Sequence, residues 1–211
     1  YKNQHTGSFG LFGTFSFNGN KTITTGGGGV IITNDEILAK KAKHITTTAK
    51  VPHRWDYVHD EIGYNYRLPN ISAALGLGQF ESIKNVFKEK DRIYNRYKKN
   101  LENIKGINIP KIMDWTTKYI MWVFNIYLDK NFPVSRDELT KILKDKNIDT
   151  RDAFVPINQQ KILIDKYKMF KEEDCPNANY IMENGLYLPS GNTITNEEID
   201  FVCETINEIS T

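Results

Sequence analysis

One lysine, Lys21, stands alone in SFNGNKTITTGGGGVIITND (residues 16–35), five residues after Ser16 and five before a run of four glycines. A glycine run costs conformational entropy and is kept where backbone needs positive φ or something approaches closely. Glycines beside a lysine suggest an anion site, since exposed N–H groups and an ammonium both suit phosphate. A Walker-type loop puts its lysine after the glycines, followed by Ser or Thr and a helix. Here the lysine comes first and a strand follows, so that reading fails. The other task for a lone lysine on a rigid strand–turn–strand is covalent: a desolvated amine attacks an aldehyde to form a Schiff base. Ser16 can then offer its hydroxyl to a phosphate on the same ligand. The competing reading is a surface lysine in a hairpin turn, the commonest fate of lysine.

Other chemistry is sparse. His5, His44, His53 and His59 show no i, i+4 pair, which leaves no expected metal site. Cys175 and Cys203 are the two cysteines, far apart and outside any CxxC, as in a reduced cytoplasmic protein with incidental thiols. Lys plus Arg number 28 against 26 for Asp plus Glu, and acidic residues interrupt the lysine clusters at 88–92 and 97–99. That is the pattern of a solvated helix face rather than a nucleic-acid footprint. No run approaches the roughly 18 apolar residues of a membrane helix. The opening YKNQHTGSFG lacks the apolar centre of a signal peptide.

These residues need elements to position them. FGTFSFN, ending at Asn18, and GVIITN (29–34) are strand-like, rich in aromatic and β-branched residues. A helix is predicted from Asp35 to Thr48, capped by Asn34 or Asp35, and then a long loop over 49–68. After Pro69, Ile71, Leu75, Phe80, Ile83, Phe87, Tyr94, Tyr97 and Leu101 follow three- and four-residue steps. They predict one helix of about 30 residues, a length that usually bridges two domains. Beyond it come a strand at 119–128, a helix opened by the capping-box pair Ser135 and Glu138, and a short strand near 148–151. A helix near 177–185 and a last helix after Thr195 and Glu198 complete a small α+β domain from about residue 104. Trp115, Tyr119 and Trp122 alternate with apolar residues and are expected to pack that domain.

Three stretches then carry a resemblance. FSFNGNKTITTGGGG resembles the SF…K…TTGEGG segment of the DegT/StrS group of pyridoxal-phosphate-dependent sugar-nucleotide aminotransferases. YVHDEIGYNYRLPNISAALGLGQFE (57–81) resembles its GYNYRLPNxxAALGLxQ segment, and LYLPSGNTITNEEID (186–200) its closing LPS…T.EEI. The resemblance implies a fold type I, α/β architecture: the end of the large cofactor domain at 1–70, a linking helix at 71–103 and the small α+β domain at 104–211. It implies that Lys21 is the Schiff-base and proton-shuttling lysine and that Ser16 binds the phosphate of pyridoxal 5′-phosphate. Asn65, with Arg67 as its companion, would reach the cofactor of a neighbouring subunit in a homodimer, while Tyr64 and Tyr66 serve either there or in packing. His59, Arg151 and Asn158 would face the substrate; His59 reads equally as an ordinary loop histidine. The substrate would be a nucleotide-linked keto-deoxysugar, and the amino donor glutamate.

Two departures stand out. Gly27 replaces the family's Glu, which loosens the turn and removes a carboxylate. The family is also far longer, so the chain is expected to hold about half an active site. An alternative is a homologue that folds and dimerises without chemistry. Another is a sugar dehydratase, a group whose members carry histidine in place of the lysine.

Overall fold

The computed structural model describes residues 1–170 and 175–210. The chain divides into two compact units, Tyr1–Val86 with Met113–Tyr119 and Phe87–Ile112 with Ile120–Thr211.

In the first unit the two predicted strands form, shorter than expected, as β1 (Gly13–Ser16) and β2 (Gly29–Ile32). They pair antiparallel from Gly13 opposite Ile32 to Ser16 opposite Gly29. Helix α1 (Glu36–Thr46) starts at Asp35, whose carboxylate accepts the N–H groups of Ile37 (2.8 Å) and Leu38 (3.0 Å). That satisfies two of the donors every helix start leaves open.

The predicted 30-residue helix is two helices, α2 (Asn70–Glu81) and α3 (Ile83–Leu101), separated at Ser82. Pro69 lies before the first turn rather than in it. Ser82 turns its N–H to Phe80 O and its own carbonyl to the N–H groups of Asn85 and Val86, restarting the ladder. The apolar steps that looked continuous serve two purposes. Ile71 is 87% exposed on α2, whereas Ile93, Tyr97 and Leu101 on α3 are buried.

The second unit is built on an antiparallel sheet in the order β3–β4–β6–β5. Its strands are β3 (Ile107–Asn108), β4 (Phe124–Leu128), β5 (Arg151–Asp152) and β6 (Gly185–Leu188). Residues 119–123 lie outside β4, and neither β3 nor β6 was expected. Alternation sets the faces. Phe124, Ile126 and Leu128 of β4 join Leu186 and Leu188 of β6 in one core with α3, α4 (Arg136–Asp145) and α6 (Asn196–Ser210). Tyr97 stacks on Phe124 at 4.6 Å, and its hydroxyl donates to Pro189 O. Tyr127 points to the other face, where Tyr180 of α5 (Pro176–Asn184) meets it edge-on.

Both predicted capping boxes are present. Ser135 Oγ accepts the N–H of Glu138 while that carboxylate accepts the N–H of Ser135, and Thr195 and Glu198 repeat the exchange at α6. Cys203 is buried in this core, its thiol pushed up to about 12 by burial, and Cys175 is exposed. Among the described residues no helix is long and apolar enough to cross a membrane.

Among the described residues of this unit, one cation is buried. Lys90 on α3 is buried, its ammonium donating to Ser190 O (2.7 Å) and Trp122 O (3.0 Å). Burial lowers its pKa below the ordinary 10.5. Between that lowered value and 10.5 the unfolded chain binds the extra proton, so this group makes stability rise with pH in that window. Urea midpoints taken as pH rises toward 10.5 should show the rise, and Lys90→Met should flatten it. The variant should also be less stable by about 1–3 kcal/mol, because two buried carbonyls lose their donor.

Candidate functional site

Lys21 lies on the 17–28 loop between β1 and β2, and the loop is tied at its base. Phe17 donates its N–H to Gly28 O (2.9 Å) and accepts at its carbonyl from Thr25 N (2.9 Å) and Thr24 Oγ1 (3.2 Å). Gln79 of α2 accepts from Thr24 N, and the Lys21 N–H closes a tight turn on Asn18 O (3.0 Å). The lysine is half-buried. Ser16 ends β1, and its Oγ accepts the Asn18 N–H (3.3 Å), which leaves the hydroxyl hydrogen to donate elsewhere.

The glycine run divides in two by need. Gly26 (φ +80°) and Gly28 (φ +96°) occupy backbone that side-chain-bearing residues rarely adopt. Gly27 does not, and a Cβ placed on it would meet nothing within 4 Å. The turn therefore does not require glycine at the position where the family carries Glu.

A second strip, which holds the predicted contacts Asn65 and Arg67, runs along the end of α1. Tyr64 N donates to Ile45 O (2.7 Å), Thr48 N to Tyr64 O (3.0 Å) and Tyr66 N to Thr46 O (2.9 Å). In this extended stretch side chains alternate. Tyr64 and Tyr66 stack on each other at 5.3 Å, and Asn65 Oδ1 accepts from Arg67 Nε at 3.1 Å. The two predicted phosphate contacts are thus already joined. His59 Nδ1 lies 2.7 Å from Thr48 O. A carbonyl only accepts, so Nδ1 carries the proton and Nε2 is the acceptor. Thr48 itself holds φ +73°, strained for a β-branched residue, with Gly63 packed tightly against its backbone.

A cluster that spacing along the chain did not reveal fastens this segment. His44 on α1 hydrogen-bonds Asp60 (2.6 Å) and approaches Glu61 (3.6 Å), and Lys41 pairs with Glu61. Their ligand atoms lie within 4.8 Å of one another, a grouping able to hold a cation; here Lys41 and His44 already answer both carboxylates. The hydrogen bond from His44 holds the Asp60 carboxyl below its usual range. The partners of His44 are carboxylates 16 and 17 residues further on, a separation that matches no local ligand spacing.

A groove of about 1110 Å³ opens on the first unit, walled by Val30, Ile31, Ile32 and Leu68 and rimmed by Arg67 and Lys43. It takes in Gly27, Gly28 and Gly29, while Lys21 and Ser16 lie outside its lining.

In the second unit Arg151 is exposed on β5. Asn158 is buried and donates to Asn179 Oδ1 at 2.9 Å, tying the 154–160 loop to α5. The three aromatics expected to pack the small domain do not. Trp115 and Tyr119 belong to the first unit and are about half exposed, Trp115 against the Tyr1 ring, and Trp122 stacks on Phe154 outside the core. Their alternation came from an irregular segment, where period two has no sheet to enforce it.

Comparison with known proteins decides the family. The family model described as DegT/DnrJ/EryC1/StrS aminotransferase matches residues 1–207. The chain belongs to that family. It is 36% identical over 208 residues to a GDP-perosamine synthase of Escherichia coli O157:H7, covering 99% of this chain and 54% of that protein. A GDP-perosamine synthase of Caulobacter vibrioides is 31% identical, over 99% of this chain and 55% of its own length. The chain thus spans about half the length of these relatives. Among solved structures it is similar to Helicobacter pylori PseC, an aminotransferase of pseudoaminic acid biosynthesis (TM-score 0.85, 21% identity, 99% of this chain, 56% of that one). It is also similar to the E. coli GDP-4-keto-6-deoxy-D-mannose-3-dehydratase (TM-score 0.80, 22% identity, 98% and 57%). The fold is that of fold type I aminotransferases, and the dehydratase shares it, so the fold alone does not choose between the two chemistries.

Two outcomes follow from this geometry. Replacing His44 by Ala should raise the Asp60 carboxyl toward its ordinary 3.8, read by carboxyl NMR titration. With His44 present, the contribution of Asp60 to stability is held above that ordinary value and lost as pH falls through the lowered one. Gly27→Glu should fold normally and change stability by no more than about 1 kcal/mol, measured by denaturant midpoint.

Proposed function

We propose that the chain is part of a pyridoxal 5′-phosphate-dependent aminotransferase that moves an amino group from glutamate to a nucleotide-linked keto-deoxysugar. One observation carries this reading: a single amine, Lys21, on a loop tied at its base, with a serine hydroxyl at one end and the glycine run at the other, in a chain of this family.

The donor set fits the cofactor. An aldehyde needs a primary amine, which is Lys21 Nζ, and a phosphate needs hydroxyl, amide and guanidinium donors, which are Ser16, Asn65 and Arg67. When bound, pyridoxal 5′-phosphate supplies the aldehyde that captures amines and the conjugated ring that accepts the electron pair released when a C–H proton leaves. Everything else falls to the chain. Lys21 would hold the cofactor through Nζ and, as a free amine, would take up and return the proton beside it. Ser16 would hold the phosphate end through its hydroxyl. His59 Nε2 accepts a hydroxyl of the sugar, its other nitrogen being committed to Thr48 O. Arg151 supplies a cation to the phosphates of the nucleotide, and Asn158, committed to Asn179, shapes the loop beside it.

Asn65 and Arg67 act on the cofactor of a second copy of the chain. Supporting that, Tyr57, Ile62 and Tyr66 of the same segment are 80%, 84% and 72% exposed, large apolar side chains left uncovered in a single copy. The enzyme is placed in the cytoplasm. Lys21 favours amino transfer over dehydration, since it supplies the amine that the dehydratases replace by histidine.

The test is spectroscopic. The full-length protein that contains this chain is mixed with pyridoxal 5′-phosphate, its spectrum is read with and without glutamate, and it is then reduced with borohydride and mapped by mass spectrometry. A yellow protein bleached by glutamate and labelled at Lys21 is expected, and Lys21→Ala should lose the label and slow amino transfer by about 10²–10⁴-fold. The chain by itself, about half the length of its relatives, is expected to be inactive. A colourless, unlabelled full-length protein would make it a binding scaffold without chemistry, and a labelled one that glutamate leaves unchanged would overturn amino transfer.

A further inference from the structure

Three metal-ligating side chains meet on the first unit, outside the Lys21 loop. His44 Nε2 lies 2.6 Å from Asp60 Oδ1 and 3.6 Å from Glu61 Oε1, and the three ligand atoms all fall within 4.8 Å of one another. A tetrahedral ion with bonds of about 2.0–2.2 Å holds its ligand atoms about 3.3–3.6 Å apart. The His44–Glu61 pair already has that spacing. The His44–Asp60 pair needs to open by about 1 Å or less, which a side-chain rotation supplies.

The ligands stand on a joined frame. His44 belongs to α1, and the segment bearing Asp60 and Glu61 is hydrogen-bonded to the end of that helix, Asp60 N donating to Ala49 O (3.3 Å) and Tyr64 N to Ile45 O (2.7 Å). The side chains of His44 and Glu61 are only 25% and 32% exposed. The donor set selects the ion. Magnesium and calcium take shells of oxygen, whereas one imidazole with two carboxylates suits zinc and its neighbours in the first transition row. Lys41 and the N–H of His44 now answer the two carboxylates, and one divalent cation answers both at once.

We propose that His44, Asp60 and Glu61 form a binding site for a divalent transition ion, Zn²⁺ in the first instance, that clips the 59–61 segment to α1. The ion takes the place of the hydrogen on His44 Nε2. In a neutral ring that proton moves to Nδ1, and in a cationic ring it leaves to solvent. Lys41, whose side chain is 54% exposed, turns its ammonium out to water, and a water molecule fills the fourth position on the metal. The clip closes the chain between residues 44 and 60, which carries the exposed Trp55 and Tyr57, and so reduces the freedom of that loop. The site stands whether or not Lys21 carries a cofactor.

Zinc binding by the full-length protein that contains this chain, first stripped of metal with chelator, tests it by equilibrium dialysis and thermal melting. Expected is one equivalent of Zn²⁺ whose affinity falls about tenfold or more in His44→Gln and in Glu61→Gln, since losing a ligand costs at least what losing an outer partner does. Lys41→Met should bind zinc several-fold more tightly, because the competing ammonium is gone. An incidental surface site has no reason to respond in that way. Mg²⁺ at the same concentration should not displace the zinc. Zinc should raise the melting temperature of the wild type and leave that of His44→Gln unchanged. Circular dichroism of each variant checks that the fold persists. Equal zinc affinity in wild type, His44→Gln and Glu61→Gln overturns the proposal, as does absence of binding by the wild type. Zinc binding that disappears in Cys175→Ser, or that Lys41→Met leaves unchanged, places the metal elsewhere and overturns it too.

Discussion

The peptide groups flanking Phe17 close the loop that carries Lys21: the N–H reaches Gly28 O and the carbonyl takes both Thr25 N and Thr24 Oγ1. A loop of this length left open would sample many conformations, and an amine on it would have no fixed place relative to Ser16. Closing the base removes most of that freedom, and the turn at Asn18 removes more. Gly26 and Gly28 make the closure geometrically possible, because the chain must pass through positive φ to bring Thr25 and Gly28 back to one residue.

The strip from Thr47 to Arg67 obeys a different constraint. Outside the named strands and helices, its backbone borrows hydrogen bonds from the end of α1 and its side chains from one another. His44 and Lys41 hold Asp60 and Glu61, and Thr48 O holds His59. Exposed ion pairs of this kind contribute little to stability individually. The direction in which Asn65 and Arg67 leave the chain is set by the backbone instead, through Tyr64 N to Ile45 O, Tyr66 N to Thr46 O and Thr48 N to Tyr64 O. Thr48, strained at positive φ, is the local cost of that direction.

The second unit rests on ordinary burial with polar ties laid across it. Arg96 and Asn100 of α3 both reach Asp200 of α6, and Arg92 reaches Ile194 O and Asn196. Lys90 gathers the chain before β4 and after β6 onto the same helix. Apolar contact brings these elements together without fixing their rotation. The directed hydrogen bonds do fix it, and with it the direction of Trp122, whose carbonyl Lys90 holds. The dehydratase shares this frame, so the frame by itself does not set the chemistry.

By itself the sequence determined whatever depends on neighbours along the chain. Asp35, Ser135 and Thr195 cap helices because the groups they bond are two or three residues away. Ser16 and Lys21 stay near each other because Ser16 ends one strand-like run and Lys21 follows five residues on, in the loop to the next, and the long motif at 57–81 identified the family. Only tertiary structure decided the rest. The stripe from Ile71 to Leu101 obeys helical spacing throughout, yet Ser82 divides it and only the α3 part finds a core, because periodicity states which residues share a face and not what covers it. β3 and β6 are too short to show alternation and become strands because β4 offers them partners. Asn158 was legible as a polar loop residue; that it is buried against Asn179 follows from where α5 lies. The meeting of His44 with Asp60, and of Trp122 with Phe154 and Tyr187, is likewise set by long-range packing, which no spacing along the chain encodes.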